Sequence, residues 1–560
     1  MKNKVLLVIL TLAVLFSFHC QKDVKGFAQY VPAEAKFMIQ FKSLDTLLDA
    51  VKSFVGEQGN LAKAFIGFNP LESSEIKDFG IDPDREFGLF FTHLNIGNIV
   101  KSDQPDFNMA FALPVTKNTD FIKKLEAKIG EKMADFKFAQ EGDNYVIPAP
   151  GDGPRMLMKQ THGYLFIAAG KEQMPGQLLA SIGQSSILDS PLYQELRQAV
   201  PDGAITLFGD FQDGEFFSSL FSQISELNKG ETGPKVNLEN WFKGYRGACV
   251  TIDFESPDFW VKTAALFDED APMNQLQQSI TYDRAPLFAV PKKPALIFSF
   301  GLNFSKYMNM IFESMEDEEQ MAEAKEGLAQ LKEMTGLDLQ EDLINNMGGN
   351  MNFGIYDLSE LASMKINGLM TMSLKESEKI LKSMELLKGL AVKSEKFSFS
   401  EEEIDGTQTF IFQGNGPLKM YAGIKDSIIV ASNLEVYQSA LAGNRDNGFL
   451  GSLKDPVLKE AFTGGDFFYL DVTQLAGGLK TAAPFLGAQN PEGPFSGWMG
   501  TVSKIMENFK YILASTHNQE LLKKSNLIIA TNFSEPFFEG IARMVKEQKK
   551  TPKESQETEE

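Results

Sequence analysis

The sequence VPAEAKFMIQF at residues 31–41 aligns without gaps on VPKKPALIFSF at residues 290–300. In both stretches a Val-Pro pair precedes an apolar run, a pattern typical of a strand that begins after a turn. An amphipathic helix is predicted to follow each strand, with Ser43 as the N-cap of the first helix. The apolar sides of these helices are formed by Leu44, Leu47, Leu48, Val51 and Val55 in the first stretch and by Met308, Ile311, Phe312 and Met315 in the second.

The correspondence between the two halves of the chain extends beyond these stretches. Agreement in the order, type and turn residues of many segments indicates an internal duplication. The further matching segments are 80–82 with 336–338, 87–90 with 353–356, 164–168 with 427–431, and 204–208 with 466–470.

Each copy is predicted to have the element order β-α-β-β-α-β-β-α-β-β-β, which lacks the strict βαβ alternation of a parallel sheet. The sequence therefore predicts an α+β fold with two tandem, sequence-related copies, each a largely antiparallel sheet with helices packed on one face. The predicted boundaries are a signal peptide at 1–19, a first copy at 20–267, a linker at 268–288, a second copy at 289–545 and a disordered, charged tail at 546–560.

The first 20 residues have the composition of an export signal. Lys2 and Lys4 precede an apolar stretch at residues 5–18, which is shorter than the about 20 residues that span a bilayer. Cys20 follows directly, and this arrangement resembles the lipobox of bacterial lipoproteins. The resemblance implies that Cys20 is diacylated and anchors the mature chain to a membrane, with the outer membrane the main expectation. The alternative is an ordinary signal peptide with a chance cysteine.

Cys249 is the second of the two cysteines in the chain. It lies in the apolar run at residues 248–252, which predicts a small buried hydrophobic side chain. A Cys20–Cys249 disulfide is the alternative, and lipidation of Cys20 excludes it.

The composition argues against several classes of function. The formal net charge of −21 disfavours nucleic acid as a partner, because phosphate binding needs clustered Lys and Arg. Of four histidines, His93, His162 and His517 remain beyond the predicted signal, far apart in sequence. Catalytic, phosphate-binding and metal-ligand motifs are absent from the sequence. We therefore expect no metal, no cofactor and no enzyme activity, with a hydrolase assembled from distant residues as the alternative.

The most distinctive motif of the second copy is TGLDLQEDL at residues 335–343, followed by MGGN at residues 347–350. It resembles a recurrent motif in an uncharacterised family of bacterial envelope proteins, catalogued as a domain of unknown function. The resemblance implies fold and compartment but no chemistry. Physically, Gly336 is predicted to cap a helix C-terminus, Asp338 to begin a short helix, and Gly348-Gly349 to form a tight turn before a strand.

Large apolar side chains are abundant, with 47 phenylalanines and 23 methionines. Some of them lie in a Gly- and Pro-rich segment that predicts loops, where apolar side chains often mark a binding surface. The alternative is that these loops cover the sheet. The candidate ligand-binding residues are Phe485, Leu486, Phe495 and Trp498.

Together these patterns predict a non-enzymatic, lipid-anchored protein of the bacterial cell envelope, with a soluble body in the periplasm or at the cell surface. Its role is expected to be binding of an apolar ligand, such as a lipid or a peptide segment, or of an envelope protein. The alternatives from other classes are the hydrolase and a structural or surface-interaction lipoprotein.

Overall fold

A computed structural model gives the structure over most of the chain. None of the helices in the described ranges combines the length and apolarity of a membrane-spanning segment. The described residues are 26–55, 73–95, 106–116, 119–131, 136–148, 153–214, 216–220, 238–277, 280–315, 318–359, 366–381, 397–414, 419–443, 449–489 and 502–550.

The structure has twenty strands in these ranges. They are β1 (Phe37–Phe41), β2 (Phe87–Leu94), β3 (Phe107–Pro114), β4 (Ala139–Glu141), β5 (Asn144–Ile147), β6 (Arg155–Thr161), β7 (Tyr164–Gly170), β8 (Ile205–Asp210), β9 (Tyr245–Asp253), β10 (Phe259–Phe267), β11 (Pro294–Gly301), β12 (Met347–Tyr356), β13 (Asn367–Leu374), β14 (Phe397–Ile404), β15 (Thr407–Gly414), β16 (Lys419–Ile424), β17 (Ser427–Ala431), β18 (Phe467–Asp471), β19 (Phe509–Gln519) and β20 (Leu522–Thr531).

The α-helices in the same ranges are mostly short. They include α1 (Leu44–Val55), α2 (Ser73–Phe79), α3 (Phe121–Gly130), α4 (Met174–Ser181), α5 (Pro191–Gln198), α6 (Pro272–Gln275), α7 (Ala285–Ala289), α8 (Phe304–Ser314), α9 (Glu318–Thr335), α10 (Leu434–Ala442), α11 (Phe449–Ser452), α12 (Pro456–Thr463), α13 (Val472–Gln489) and α14 (Phe537–Lys550). Residues 216–220, 377–381 and 502–506 are also helical. Single turns of other helix types occur at Phe27–Tyr30, Ile187–Asp189, Leu238–Phe242, Leu339–Leu343 and Ile344–Asn346.

The chain forms two compact units. Unit 1 comprises Met1–Asn228, Tyr245–Leu266 and Phe533–Glu560, and unit 2 comprises Lys229–Gly244 and Phe267–Asn532.

These units differ from the predicted boundaries in two places. The C-terminal segment belongs to unit 1, and α14 includes residues 546–550 of the predicted disordered tail. The predicted linker 268–288 belongs to unit 2 and contains α6 and most of α7, with Leu276 and Leu287 buried. Contacts between residues distant in sequence join these segments to their units. In unit 1, the backbone N–H of Phe537 donates to the carbonyl of Ser256 at 2.9 Å.

Each unit contains one ten-strand arrangement. In unit 1 the order is β4-β5-β6-β7-β3-β2-β1-β8-β9-β10, and the neighbours from β4 through β9 are antiparallel. In unit 2 the order is β14-β15-β16-β17-β13-β12-β11-β18-β19-β20, with every neighbouring pair antiparallel. The predicted α+β class and antiparallel pairing are confirmed.

The predicted element order lacks one strand pair in each unit, because four strands rather than two separate the second and third helical regions. The additional strands form hairpins with sharp turns, at Gly142 (φ +58°) between β4 and β5 and at Gly406 (φ +74°) between β14 and β15. In β14 the polar run at residues 400–403 conceals the apolar alternation that identifies a strand from sequence.

Helices cover both faces of the sheet in unit 1, so the prediction of helices on one face is wrong there. On face A, which carries Phe111, one buried cluster joins Phe111 to Leu44 of α1 and Phe121 of α3. On the opposite face B, the Tyr193 ring of α5 lies 5.2 Å from the Phe208 ring. Strands such as β7 are apolar at consecutive positions, a pattern typical of strands buried on both sides.

In unit 2 the principal buried cluster lies on face B, the side of the sheet that carries Ile297 and Leu513. It joins these residues to Leu287 of α7, Tyr437 of α10 and Phe462 of α12. The opposite side, face A of unit 2, carries Phe298 and is described below.

Several local predictions are confirmed. Ser43 Oγ accepts a hydrogen bond from the Thr46 N–H at 3.2 Å and so caps α1. Gly336 follows α9 with φ +72°, a conformation that favours glycine. Asp338 Oδ1 accepts from the N–H groups of the next short helix, at 3.1 Å from Gln340 and 3.0 Å from Glu341.

The prediction of a tight turn at Gly348-Gly349 is wrong, because both residues lie inside β12. The ladder between β12 and β13 is irregular between Met347 and Met351, and Gly349 has φ +89°. This bulge uses the conformational freedom of glycine that the sequence analysis assigned to a turn.

The alignment of 87–90 with 353–356 is displaced by two residues relative to the strand ladders. Leu89 lies opposite Ile39, whereas Phe353 lies opposite Phe298. A shift of two residues keeps each side chain on its own face, so the apolar pattern conceals the displacement.

Candidate functional site

Of the site residues predicted from sequence, Phe485 and Leu486 lie within the described ranges. Phe485 and Leu486 lie in α13 rather than in a loop, which corrects the loop prediction. This helix begins where Asp471 Oδ1 accepts from the Gln474 N–H at 2.9 Å, a cap that outweighs the loop signal of the Gly and Pro residues. Cys20, Phe495 and Trp498 lie outside the described residues.

Face A of unit 2 is apolar across the sheet. The ladders place side chains of successive strands opposite one another, which defines rows perpendicular to the strands. The central row runs Leu527–Ala514–Phe468–Phe298–Phe353–Met370–Val430, flanked on one side by Ile529–Ile512–Leu470–Leu296–Ile355 and on the other by Phe300–Met351–Met372–Ile428. These three rows contain no charged side chain.

The rings and thioethers of the central row pack closely yet remain accessible. The rings of Phe298 and Phe353 stack with centroids 5.3 Å apart and an interplanar angle of 25°. Phe468 is 38% exposed, Leu527 is 37% exposed and Met370 is 36% exposed. Apolar side chains at this exposure in one continuous patch are typical of an interaction surface.

The corresponding face of unit 1 is covered around Phe111, whereas other side chains of that face, such as Leu89, remain partly exposed. There Phe111 is 4% exposed, under the fully buried side chains Leu44 and Phe121. In unit 2 the helix that follows the first strand, α8, leaves its predicted inner residues Ile311 and Phe312 partly exposed. The two units therefore share a strand order but differ in the cover over the third strand of face A, where Phe111 is 4% exposed in unit 1 and Met370 is 36% exposed in unit 2.

One end of face A in unit 2 is polar, and we call it the polar end: Gln277, Tyr282, Asp466 and Lys523. Asp466 Oδ1 accepts from the Tyr282 hydroxyl at 2.6 Å and from the Gly301 N–H at 2.7 Å. Its Oδ2 accepts from Gln277 Nε2 at 3.2 Å. Burial, followed by the contact with Asp466, raises the pKa of the Tyr282 hydroxyl, which therefore stays protonated as a donor.

Lys523 brings a cation to the polar end. Its ammonium donates to the carbonyl of Met273 at 2.7 Å and lies 4.9 Å from the centroid of the Phe267 ring. Partial burial lowers the pKa of Lys523 to about 8, against a smaller raising effect of Asp466. Lys523, Ser525 and Leu527 alternate along β20, which places them on the same face.

Arg284 fixes the segment before the first strand of unit 2 to face B. The residue is 6% exposed, and its Nη1 donates to the carbonyls of Phe462 at 3.1 Å and Gly464 at 2.8 Å. Nε donates to Ser299 Oγ at 3.0 Å. Burial lowers the pKa of Arg284 to about 10. Sequence analysis missed this residue because it lies in the predicted linker, and only its partners distant in sequence reveal its role.

The structure describes Cys249 and the surroundings of two histidines. Cys249 is fully buried on β9, as predicted, and burial raises the pKa of its thiol to about 11. His93 Nε2 lies 3.3 Å from Asp106, and the His162 ring stacks on Tyr30 at 5.1 Å. Within the described ranges, no three potential ligand side chains cluster in a way that could hold a metal ion.

The fold and site define a class of α+β protein, with two units of antiparallel sheet and one apolar sheet face that is accessible in part. The chain belongs to the family described as Protein of unknown function (DUF3352), whose model matches residues 5–493. This match confirms the expectation of a family catalogued as a domain of unknown function.

Comparisons with individual proteins give weak similarities. None of the curated proteins matches the chain. Among solved structures, crystal form I of TP0453 aligns with 9% identity and a TM-score of 0.24, covering 44% of this chain and 80% of that one. Crystal form III of TP0453 aligns with 9% identity and a TM-score of 0.25, covering 46% and 85%.

Proposed function

We propose that this chain is a lipid-anchored protein of the bacterial cell envelope and that unit 2 binds an apolar ligand on face A. The observation that carries the binding proposal is the set of three uncharged rows across the sheet, with Phe468, Leu527 and Met370 each more than a third exposed. Covering such a surface is favourable in proportion to the apolar area removed from water.

The proposed role is binding rather than catalysis. A ligand on the three rows meets aliphatic, aromatic and thioether groups, which supply no acid, base or nucleophile. An apolar segment of an envelope protein is the alternative occupant of the same face.

We further propose that units 1 and 2 derive from a duplication. The shared order of ten strands and the alignment of residues 31–41 with 290–300 support it. On this basis the part of face A around Phe111 is a covered core in unit 1, whereas in unit 2 the face serves as a binding surface.

Binding is tested with the chain from Gln21 onward, which retains every described residue. After delipidation, titration with the neutral fluorescent probe N-phenyl-1-naphthylamine is expected to show saturable binding. Phe468→Ser removes a large apolar contact and should weaken binding about tenfold. Val457→Ser is the matched control, because Val457 is 43% exposed on α12, away from the three rows. Equal binding by all three proteins, or none by the wild type, contradicts the proposal.

The lipid anchor is tested by Cys20→Ala in cells that process lipoproteins. Loss of the acylated thiol should move the protein from the detergent phase to the aqueous phase in Triton X-114 partitioning, because acyl chains supply the membrane affinity. Cys249→Ala is the control and should leave partitioning unchanged. Unaltered partitioning of the Cys20→Ala protein means that Cys20 is not the lipidation site.

A further inference from the structure

We propose that the ligand of face A in unit 2 is a long-chain carboxylate, with its alkyl chain on the apolar rows and its carboxylate at Lys523. This inference rests on the proposed function, because it assigns a chemical class to the ligand of the same face. It comes from the position of one half-buried cation at the end of an uncharged surface.

The strand geometry places the two parts of the site within reach of one molecule. Lys523 and Leu527 lie four residues apart on the same side of β20, a separation of about 13 Å along the strand. From Leu527 the central row continues across seven strands to Val430 on β17, about 29 Å away at the usual strand spacing. A single extended alkyl chain fits this long, uncharged surface.

Lys523 has hydrogen-bonding capacity that the described part of the chain does not use. An ammonium has three N–H donors, and one of them is taken by the neutral carbonyl of Met273. The nearby carboxylate of Asp466 already accepts from Tyr282, Gly301 and Gln277. No carboxylate oxygen of a described residue lies within ion-pair distance of Lys523. A ligand anion would accept hydrogen bonds from the remaining N–H donors of Lys523.

The charge of the site favours a carboxylate over a phosphate monoester. The single ammonium suits a head group with one negative charge, and the nearby Asp466 carboxylate disfavours a phosphate monoester, which carries a charge of about −1.5 to −2 at neutral pH. The depressed pKa of Lys523 is consistent with a cation that lacks its counter-ion, because an adjacent anion favours the charged form.

The experiment compares two probes with the same chain and fluorophore, 11-(dansylamino)undecanoic acid, which is charged at pH 7, and its neutral methyl ester. With the chain from Gln21 onward at pH 7, the acid is expected to bind about tenfold more tightly than the ester, since a charge-assisted hydrogen bond is strong where water is excluded. Lys523→Gln should abolish this preference and leave ester binding unchanged, and Lys523→Arg should retain it. Lys524→Gln is the matched control, because Lys524 lies one residue along on the opposite face of β20.

The results separate the carboxylate inference from the proposed function. Equal affinity for acid and ester in the wild type, or a preference that survives Lys523→Gln, overturns the carboxylate inference. If the ester binds and Phe468→Ser weakens it, the proposed function stands without that inference. If neither probe binds a protein whose circular dichroism shows it to be folded, both fall together.

Discussion

Replacing Arg284 with methionine is expected to lower the free energy of unfolding of unit 2 by about 3 kcal/mol. The guanidinium is buried, and its Nη2 also donates to the carbonyl of Gly465, in addition to its bonds to Ser299, Phe462 and Gly464. Methionine has a similar length but no donor, so three backbone carbonyls lose this donor, whereas Ser299 Oγ still accepts from Asn350 Nδ2 at 3.3 Å. Each buried polar group left unsatisfied costs about 1–3 kcal/mol.

Part of this loss is offset, because the substitution also removes the cost of burying a charge. That cost is visible in the lowered pKa of Arg284. The rings of Tyr282 and Phe467 also lose a cation, which lies 4.3 Å and 5.1 Å from their centroids. We therefore expect a loss of about 3 kcal/mol, the lower end of the range that three unsatisfied carbonyls would give.

Urea unfolding monitored by hydrogen–deuterium exchange of unit 2 peptides measures this effect. Lys480→Met is the control within unit 2, because Lys480 forms an exposed ion pair with Glu507, and such pairs contribute about 0–1 kcal/mol. A loss of less than about 1 kcal/mol at Arg284, equal to that of the control, would mean that water satisfies the released carbonyls.

Phe467 and Phe468 are neighbours on β18 that point to opposite faces, and their alanine variants should differ sharply. Phe467 is 4% exposed and packs against Phe288 and Phe462, with centroids 6.1 Å and 4.9 Å away. Phe467→Ala should cost about 3–5 kcal/mol through lost burial and a cavity. Phe468→Ala should cost much less, about 1 kcal/mol, because the ring is already partly in water.

The same pair separates stability from binding. Phe468→Ala should weaken binding of the neutral probe while unit 2 stays folded. Phe467→Ala should lower the urea midpoint and leave the affinity for the probe unchanged under folding conditions. Urea unfolding and probe titration on both variants provide the measurements. Equal stability losses at the two positions would contradict the assignment of face B as the core and face A as the accessible side.

Much of the local structure follows from sequence because it depends on neighbours along the chain. Ser43, Gly336 and Asp338 sit at helix ends where their side chains or backbone conformations satisfy adjacent groups. The antiparallel class follows from the order of elements, and the burial of Cys249 follows from its apolar run. These features need only short-range chemistry.

The candidate site required the tertiary structure. The apolar residues of face A are visible in the sequence, but the ladders alone show that Phe298, Phe353 and Phe468 form one row. Loop composition directed attention to Phe485 and Leu486, which the fold places in a helix. Lys523 gives no sequence signal, because its importance comes from Met273 and Asp466, which are distant in sequence.

The sequence by itself determined the internal similarity, the antiparallel α+β class, the helix caps and the absence of familiar catalytic motifs. Only the tertiary structure decided which face of each sheet is covered, that the C-terminal helix belongs to unit 1, and that a cation lies at the end of an apolar surface. The physical reason is that alternation along a strand assigns side chains to two faces, whereas the covering of each face depends on segments far away in the chain.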